Sequence, residues 1–199
     1  AKVTSSSAFR VDSITDPAGT TTDYRNINIS NRLNARNFRS DVNNILSTIR
    51  RESNNWNTTA ATGKVSYNRY QEYQGSISSQ RERITKMNDF FKSDGTIGKF
   101  YNDYKGVVSK SNQANKIASS TNATSAQVKY ARELQEQVNT MNKTKQVFDE
   151  LQINLKKASE NLDSLSSNVT RGVEKGKVTV GSDPNSILGQ IKKRSFAIT

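Results

Sequence analysis

The chain has 199 residues, of which 32% are apolar and 24% are charged, and it contains neither cysteine nor histidine. These two absences exclude disulfides, metal sites built on Cys or His ligands, and Ser-His or Cys-His nucleophile pairs. The net charge of +12 indicates either a polyanionic partner, such as nucleic acid, an acidic protein or anionic lipid, or a solvated surface that keeps the chain soluble. No apolar run approaches the roughly 20 residues that a transmembrane helix needs.

The first 23 residues are rich in Ser and Thr, and Pro17-Ala18-Gly19 is a turn signal. We expect an extended N-terminal arm over residues 1–23, with one short strand near residues 9–14. Such an arm either wraps a neighbouring subunit or is a frayed terminus, and the sequence leaves both interpretations open.

The first predicted helix covers residues 30–55. Its apolar residues recur at helical spacing and are Leu33, Phe38, Val42, Ile45, Leu46, Ile49 and Trp56. Arg32, Arg36 and Arg39 form a separate basic stripe at steps of four and three. Arginines on one helix face can contact phosphates, which gives affinity without base recognition. We therefore predict polyanion contact at Arg32, Arg36 and Arg39.

Residues 66–92 form the second predicted helix and residues 96–118 the third. The second has a heptad rhythm with polar Gln80 at one position, carried by Tyr70, Tyr73, Ile77, Ile84, Met87 and Phe91. This rhythm places its tyrosines in a core rather than on a base-stacking platform. Gly98 and Gly106 make the third helix the weakest of the four.

One local pattern consists of Arg83, Met87, Phe90-Phe91, a Gly-containing turn, and then Ile97, Phe100 and Tyr104. It resembles the helical rod region of flagellar hook–filament junction proteins. The likeness covers about residues 66–170 and is one of helical spacing. The terminal heptads with which such axial proteins polymerise are missing, and the positive charge departs from them, so an axial subunit is an alternative only.

The longest predicted helix spans residues 125–170 and organises the others. Thr124 and Gln127 have the spacing of a capping box at its start, and Gly172 is predicted to end it. Its apolar stripe forms a predicted helix seam of Leu134, Val138, Met141, Phe148, Leu151, Leu155, Leu162 and Leu165. The three-residue step from Phe148 to Leu151, with Lys145 and Gln152 near the seam, indicates a stammer.

Residues 173–199 form a predicted C-terminal arm with a short strand at residues 177–180. The cluster Lys192, Lys193 and Arg194 near the chain end is a second predicted polyanion contact.

Catalytic chemistry has little support in the sequence. The adjacent carboxylates Glu133 with Glu136, and Asp149 with Glu150, lie among lysines and arginines at the spacing of surface ion pairs on a helix. No Walker A run, Gly-x-Gly-x-x-Gly motif or EF-hand loop occurs. We expect no enzyme, no cofactor and no metal site.

These patterns predict a mainly α fold: an elongated bundle of three to four helices at residues 24–172, between arms at 1–23 and 173–199. The leading hypothesis is a non-enzymatic structural protein, a homo-oligomer within a larger assembly, in the virion of a phage or DNA virus as a connector, neck or internal protein. We expect it in a virion or another extracellular assembly, and in the cytoplasm before assembly. The alternatives are a module that binds nucleic acid through its backbone, independently of sequence, and a flagellar-type or secretion-type axial subunit.

Overall fold

The computed structural model describes residues 12–179. These residues are 80% helical, which confirms the predicted mainly α helical bundle. The elements in chain order are β1 (Ser13–Thr15), β2 (Thr21–Asp23), α1 (Arg25–Thr62), α2 (Tyr67–Asp89), α3 (Thr96–Ala118) and α4 (Ser125–Glu174).

Strands β1 and β2 form an antiparallel hairpin, in which Ile14 lies opposite Thr22. The turn is closed by a hydrogen bond of 2.8 Å from the Thr20 amide to the Asp16 carboxylate. Gly19 adopts a φ of +96°, which a residue with a Cβ rarely accepts. Ile14 is buried, so the described part of the predicted N-terminal arm is a folded hairpin with an apolar anchor.

Helix α1 is longer than predicted at both ends. The Asp23 carboxylate accepts a hydrogen bond of 2.9 Å from the Arg25 amide, which caps the helix five residues before the predicted start. At the other end the polar residues 54–59 continue the helix instead of leaving it. Trp56 is buried among them, and its packing holds this turn of α1 in place against the weak helix propensity of its neighbours.

The described chain divides into two compact units. Unit 1 contains the hairpin, α1 up to Ser40, α3, and α4 up to Gln152. Asn28 bonds to Gln137 and Phe38 packs against Phe148, so α1 and α4 run parallel in this unit.

Helix α3 runs antiparallel to α4 within unit 1. The Tyr101 hydroxyl donates a hydrogen bond of 2.6 Å to Asp149, whereas the Tyr104 hydroxyl, nearly one turn later, lies 3.5 Å from the side-chain oxygen of Asn142. Unit 1 is therefore a three-helix bundle.

Unit 2 contains α1 from Asp41, α2, and α4 from Ile153. Trp56 of α1 meets Tyr73 of α2 edge-on, with ring centroids 5.3 Å apart, and lies against Gly172 of α4. Val178, inside the segment predicted as a strand, makes an isolated parallel bridge with Val65. Two backbone hydrogen bonds, from the Val65 amide to the Lys177 carbonyl and from the Thr179 amide to the Val65 carbonyl, fix this bridge.

The buried positions of α4 follow an unbroken heptad, so the predicted stammer is wrong. The seam is formed by Leu134, Gln137, Met141, Thr144, Phe148, Leu151, Leu155, Ala158, Leu162, Leu165 and Val169, all buried. The polar residues Gln137 and Thr144 fill positions that an apolar pattern leaves blank. Val138 is only half-buried and Gln152 is exposed. The other seven residues predicted for the seam lie on it.

The two ends of α4 differ in how well the sequence predicts them. Thr124 and Gln127 exchange side-chain to backbone hydrogen bonds of 2.9 and 3.1 Å, the reciprocal geometry of a capping box. Gly172 lies inside the helix, so its predicted role as the terminating glycine is wrong. Gly176, with a φ of +72°, ends the helix in a Schellman motif. The Gly176 amide donates a hydrogen bond to the Val173 carbonyl, and the Lys177 amide donates one to the Gly172 carbonyl.

Candidate interaction surface on helix α1

The first three turns of α1 have inverted polarity, which means that small or polar side chains face the bundle while large apolar ones face outward. The positions that continue the heptad of Phe38 and Val42 toward the helix start are Ala35, Asn31 and Asn28. The larger apolar side chains of the same turns, Ile27, Ile29 and Leu33, are exposed instead. A helix that served only its own bundle would place its large apolar residues inward.

Leu33 shows this inversion most clearly. The sequence pattern placed it with the core residues of the helix, but 52% of it is exposed. Leu33 and Phe38 are five positions apart, and a step of five places two residues on different faces of a helix. This spacing was the signal in the sequence that Leu33 does not share the core face of Phe38. Ile29 and Leu33, one turn apart, share the outer face with Arg36, and we name these three residues the α1 ridge.

The inward amides of the same turns pair with α4. The Asn28 Nδ2 donates to Gln137 Oε1 at 2.8 Å, and Gln137 Nε2 donates back to Asn28 Oδ1 at 2.8 Å. Gln137 has no exposed surface, so this reciprocal pair of hydrogen bonds satisfies a side-chain amide whose burial would otherwise cost free energy. The pair fixes the register of α1 against α4, since a slip by one turn would leave a buried amide unpaired.

Two further polar atoms of unit 1 are buried without a hydrogen-bond partner in the described part of the chain, Asn31 Nδ2 and Ser111 Oγ. Each unpaired polar atom weakens the bundle. The first turns of α1 also bury fewer large apolar side chains than the same helix does further along, at Val42, Ile45 and Ile49.

The arginines predicted to contact a polyanion divide into two kinds. Arg39 is engaged with Glu150 of α4, with Nη2 and Oε2 3.6 Å apart. Arg32 and Arg36 are exposed, and neither forms an ion pair with any residue among those described. The other predicted contact, Lys192, Lys193 and Arg194, lies outside the described residues.

A hydrogen-bonded cluster joins α3 to α4 within unit 1. Asp149 accepts bonds from the Tyr101 hydroxyl, at 2.6 Å, and from Lys145 Nζ, at 2.8 Å. Burial raises the pKa of Tyr101 well above its ordinary value, and the hydrogen bond to Asp149 adds to this. Burial alone would raise the pKa of Asp149, but the bonds from Lys145 and Tyr101 outweigh it and lower that pKa below its ordinary value. The cluster is a satisfied polar cross-link.

A cavity of about 140 Å³ in unit 1 shows where the hairpin tip lies. Pro17 of the hairpin lines it together with Ile117 of α3 and Tyr130 of α4. The tip thus rests beside α3 and α4.

The described residues contain no group of three or more acidic, His or Cys side chains that could hold a metal ion. None of their helices is long and apolar enough to cross a membrane.

Comparison with family models, with curated proteins and with solved structures gave no match for this chain.

Proposed function

We propose that this chain is a non-enzymatic structural subunit of a multi-subunit assembly. The observation that carries the proposal is the inverted polarity of α1, where Ile29 and Leu33 face outward while Asn28 faces Gln137. Turning apolar residues into solvent costs free energy in an isolated subunit, roughly 25 cal/mol for each Å² left exposed. A partner that covers them recovers this energy, as at assembly interfaces.

We further propose that the assembly is a virion of a phage or DNA virus, in which the chain serves as a connector, neck or internal protein. Long helices with unbroken heptad seams, a basic chain of net charge +12 and a hairpin ahead of α1 support this proposal. The proposed location is accordingly the virion, or another assembly outside the cell, with a cytoplasmic stage before assembly.

The test is the mass and form of the purified full chain. Light scattering coupled to size exclusion, across a hundredfold range of concentration, should show species larger than 22.2 kDa whose share grows with concentration. Negative-stain electron microscopy should show rings, filaments or discrete particles. A monomer at every concentration and no particles on the grid would contradict the proposal.

A second candidate is sequence-independent binding of nucleic acid. The observation that favours it is the difference between Arg39, which is paired with Glu150, and Arg32 and Arg36, which are exposed with no ion pair in the described region. Unpaired arginines on one helix can neutralise phosphates without losing an internal bond.

A further inference from the structure

We infer that the α1 ridge of one copy of this chain docks onto the α1 ridge of a second copy, with the two helices antiparallel. The inference rests on the proposed assembly function and names one interface of it. The ridge is Ile29, Leu33 and Arg36, all exposed on the outer face of α1.

The ridge is open within its own unit. Ile29 and Leu33 are 38% and 52% exposed, although both are large apolar side chains one helical turn apart. The hairpin precedes α1 directly and could have folded over this face. Its tip lies instead beside Ile117 and Tyr130 of the other two helices. No other element of unit 1 buries the ridge among residues 12–152 that the structure describes.

The charges at the two ends of the ridge select the partner and its direction. At the N-terminal end, Asp12 and Asp23 lie beside the first residue of α1, because the Asp12 carbonyl and the Asp23 carboxylate both accept hydrogen bonds from the Arg25 amide. Arg25 is the single cation among residues 12–25. At the other end follow Arg32 and Arg36, which form no ion pair with any described residue, whereas Arg39 is already paired with Glu150. Residues 25–40 contain no acidic side chain. One copy therefore holds both signs, with the carboxylates in the hairpin just before α1 and the arginines on the helix.

Parallel packing of two copies would bring like charges together at both ends. Antiparallel packing about the midpoint of the two apolar residues Ile29 and Leu33, at the level of residue 31, places the acidic end of each copy beside the arginines of the other. Residues 25 and 37 each lie about 9 Å from that centre along the helix, so the Asp23 end of one copy reaches Arg36 of its partner. The contact is the same on both copies, as two-fold symmetry requires.

The predicted interface is small. Two apolar anchors per copy fall below the roughly 800 Å² per partner of a standard stable interface. The dimer should therefore depend on protein concentration and should weaken with salt, because part of its selectivity comes from exposed charges.

Sedimentation velocity of the full chain tests the ridge. The double variant Ile29→Ser/Leu33→Ser should raise the dissociation constant at least tenfold while leaving the circular dichroism spectrum unchanged. The matched control is Ile153→Ser, since Ile153 is 65% exposed on α4 and lies outside the ridge. An unchanged dissociation constant in the double variant, or a wild-type chain without self-association, overturns the inference.

Disulfide trapping tests the direction and does not depend on the serine variants folding. The chain has no cysteine, so single replacements report unambiguously. Asn26→Cys mixed with Asn37→Cys should form a mixed disulfide, because antiparallel packing opposes these exposed positions. Asn26→Cys alone should crosslink less. Strong trapping by Asn26→Cys alone, with no mixed disulfide between Asn26→Cys and Asn37→Cys in the mixture, means parallel packing and overturns the inference.

The two proposals fail differently. If larger assemblies persist when the ridge is replaced, this interface is wrong and the assembly function stands. If the wild-type chain stays monomeric and forms no particles, both are wrong.

Discussion

At the residue scale, the contact between Trp56 and Gly172 joins α1 to α4 in unit 2. A Cβ placed on Gly172 would overlap Cζ2 of the Trp56 ring, so only glycine allows the indole to lie this close to the α4 backbone. The helix keeps a residue of weak helical propensity at this point because the buried ring needs its space.

We predict that Gly172→Ala destabilises the protein by about 1–3 kcal/mol, because the added methyl group displaces a buried ring. Chemical denaturation followed by circular dichroism measures the change. Gly75→Ala is the matched control, since a Cβ at Gly75 in α2 would meet nothing within 4 Å. It should stabilise the protein by about 0.5–1 kcal/mol, the usual gain for this exchange inside a helix. Equal effects at both sites would contradict the packing argument.

The Asp149 cluster predicts a pH dependence. A carboxylate whose folded pKa is lowered contributes stability above its ordinary pKa, and this is lost as the pH falls toward the folded value. Tyr101→Phe removes one of the two hydrogen bonds that lower it. Between neutral pH and about pH 3, the free energy of unfolding should therefore fall less in Tyr101→Phe than in the wild type.

The control for this prediction is Tyr104→Phe, since the Tyr104 hydroxyl lies near Asn142 and makes no bond to Asp149. Urea denaturation at several pH values supplies the measurement. An acid limb that is identical in Tyr101→Phe and the wild type would mean that Tyr101 has no part in holding the Asp149 charge.

At the element scale, the seam of α4 determines whether the helix stays docked. Leu155 and Leu162 are almost completely buried in unit 2, whereas Ile153, on the same helix, is exposed. The comparison of these positions separates seam burial from helix propensity, because each exchange puts alanine into the same helix.

Leu155→Ala or Leu162→Ala should each cost about 2–5 kcal/mol, since a truncated core leucine loses its transfer energy and leaves a cavity. Ile153→Ala should change stability by no more than about 0.5 kcal/mol. Thermal and urea denaturation give both values. Unchanged melting in Leu162→Ala would show that the stripe is a partner surface and not a core.

At the scale of the whole molecule, the net charge of +12 predicts a salt-dependent interaction with polyanions. Binding to random duplex DNA should weaken steeply with salt and ignore sequence, because each neutralised phosphate contributes about −0.9 to the slope of log K against log salt. Replacing Lys192, Lys193 and Arg194 with serine should flatten this slope by up to about 2.7 units.

The same titration separates the arginines of α1. Replacing Arg32 and Arg36 together should flatten the slope by up to about 1.8 units. Arg39→Ser should flatten the slope less than Arg32→Ser or Arg36→Ser alone, since Arg39 is already paired with Glu150. If the wild-type chain does not bind duplex DNA at low salt, the charge serves solubility or an acidic protein neighbour, and the nucleic-acid candidate is wrong.

Local sequence patterns were sufficient to predict the helical class and those details that depend on neighbouring residues alone. Helix α3 has the predicted bounds, and the Thr124–Gln127 capping box forms as its spacing requires, because helix periodicity and capping involve residues only a few positions apart. The polyanion contacts and the assembly function stay predictions, since no partner is part of the isolated chain.

Which polar residues are buried depends on how the helices pack against one another. Gln137 fills a seam position because Asn28, 109 residues earlier in the chain, supplies both of its hydrogen bonds, and no local pattern contains that partner. Gly172 stays inside α4 because Trp56 occupies the space of its side chain, and Leu33 faces outward because the heptad that continues from Phe38 selects Asn31 and Ala35 instead. Each outcome depends on what another helix brings to the position, and that is decided only when the helices pack.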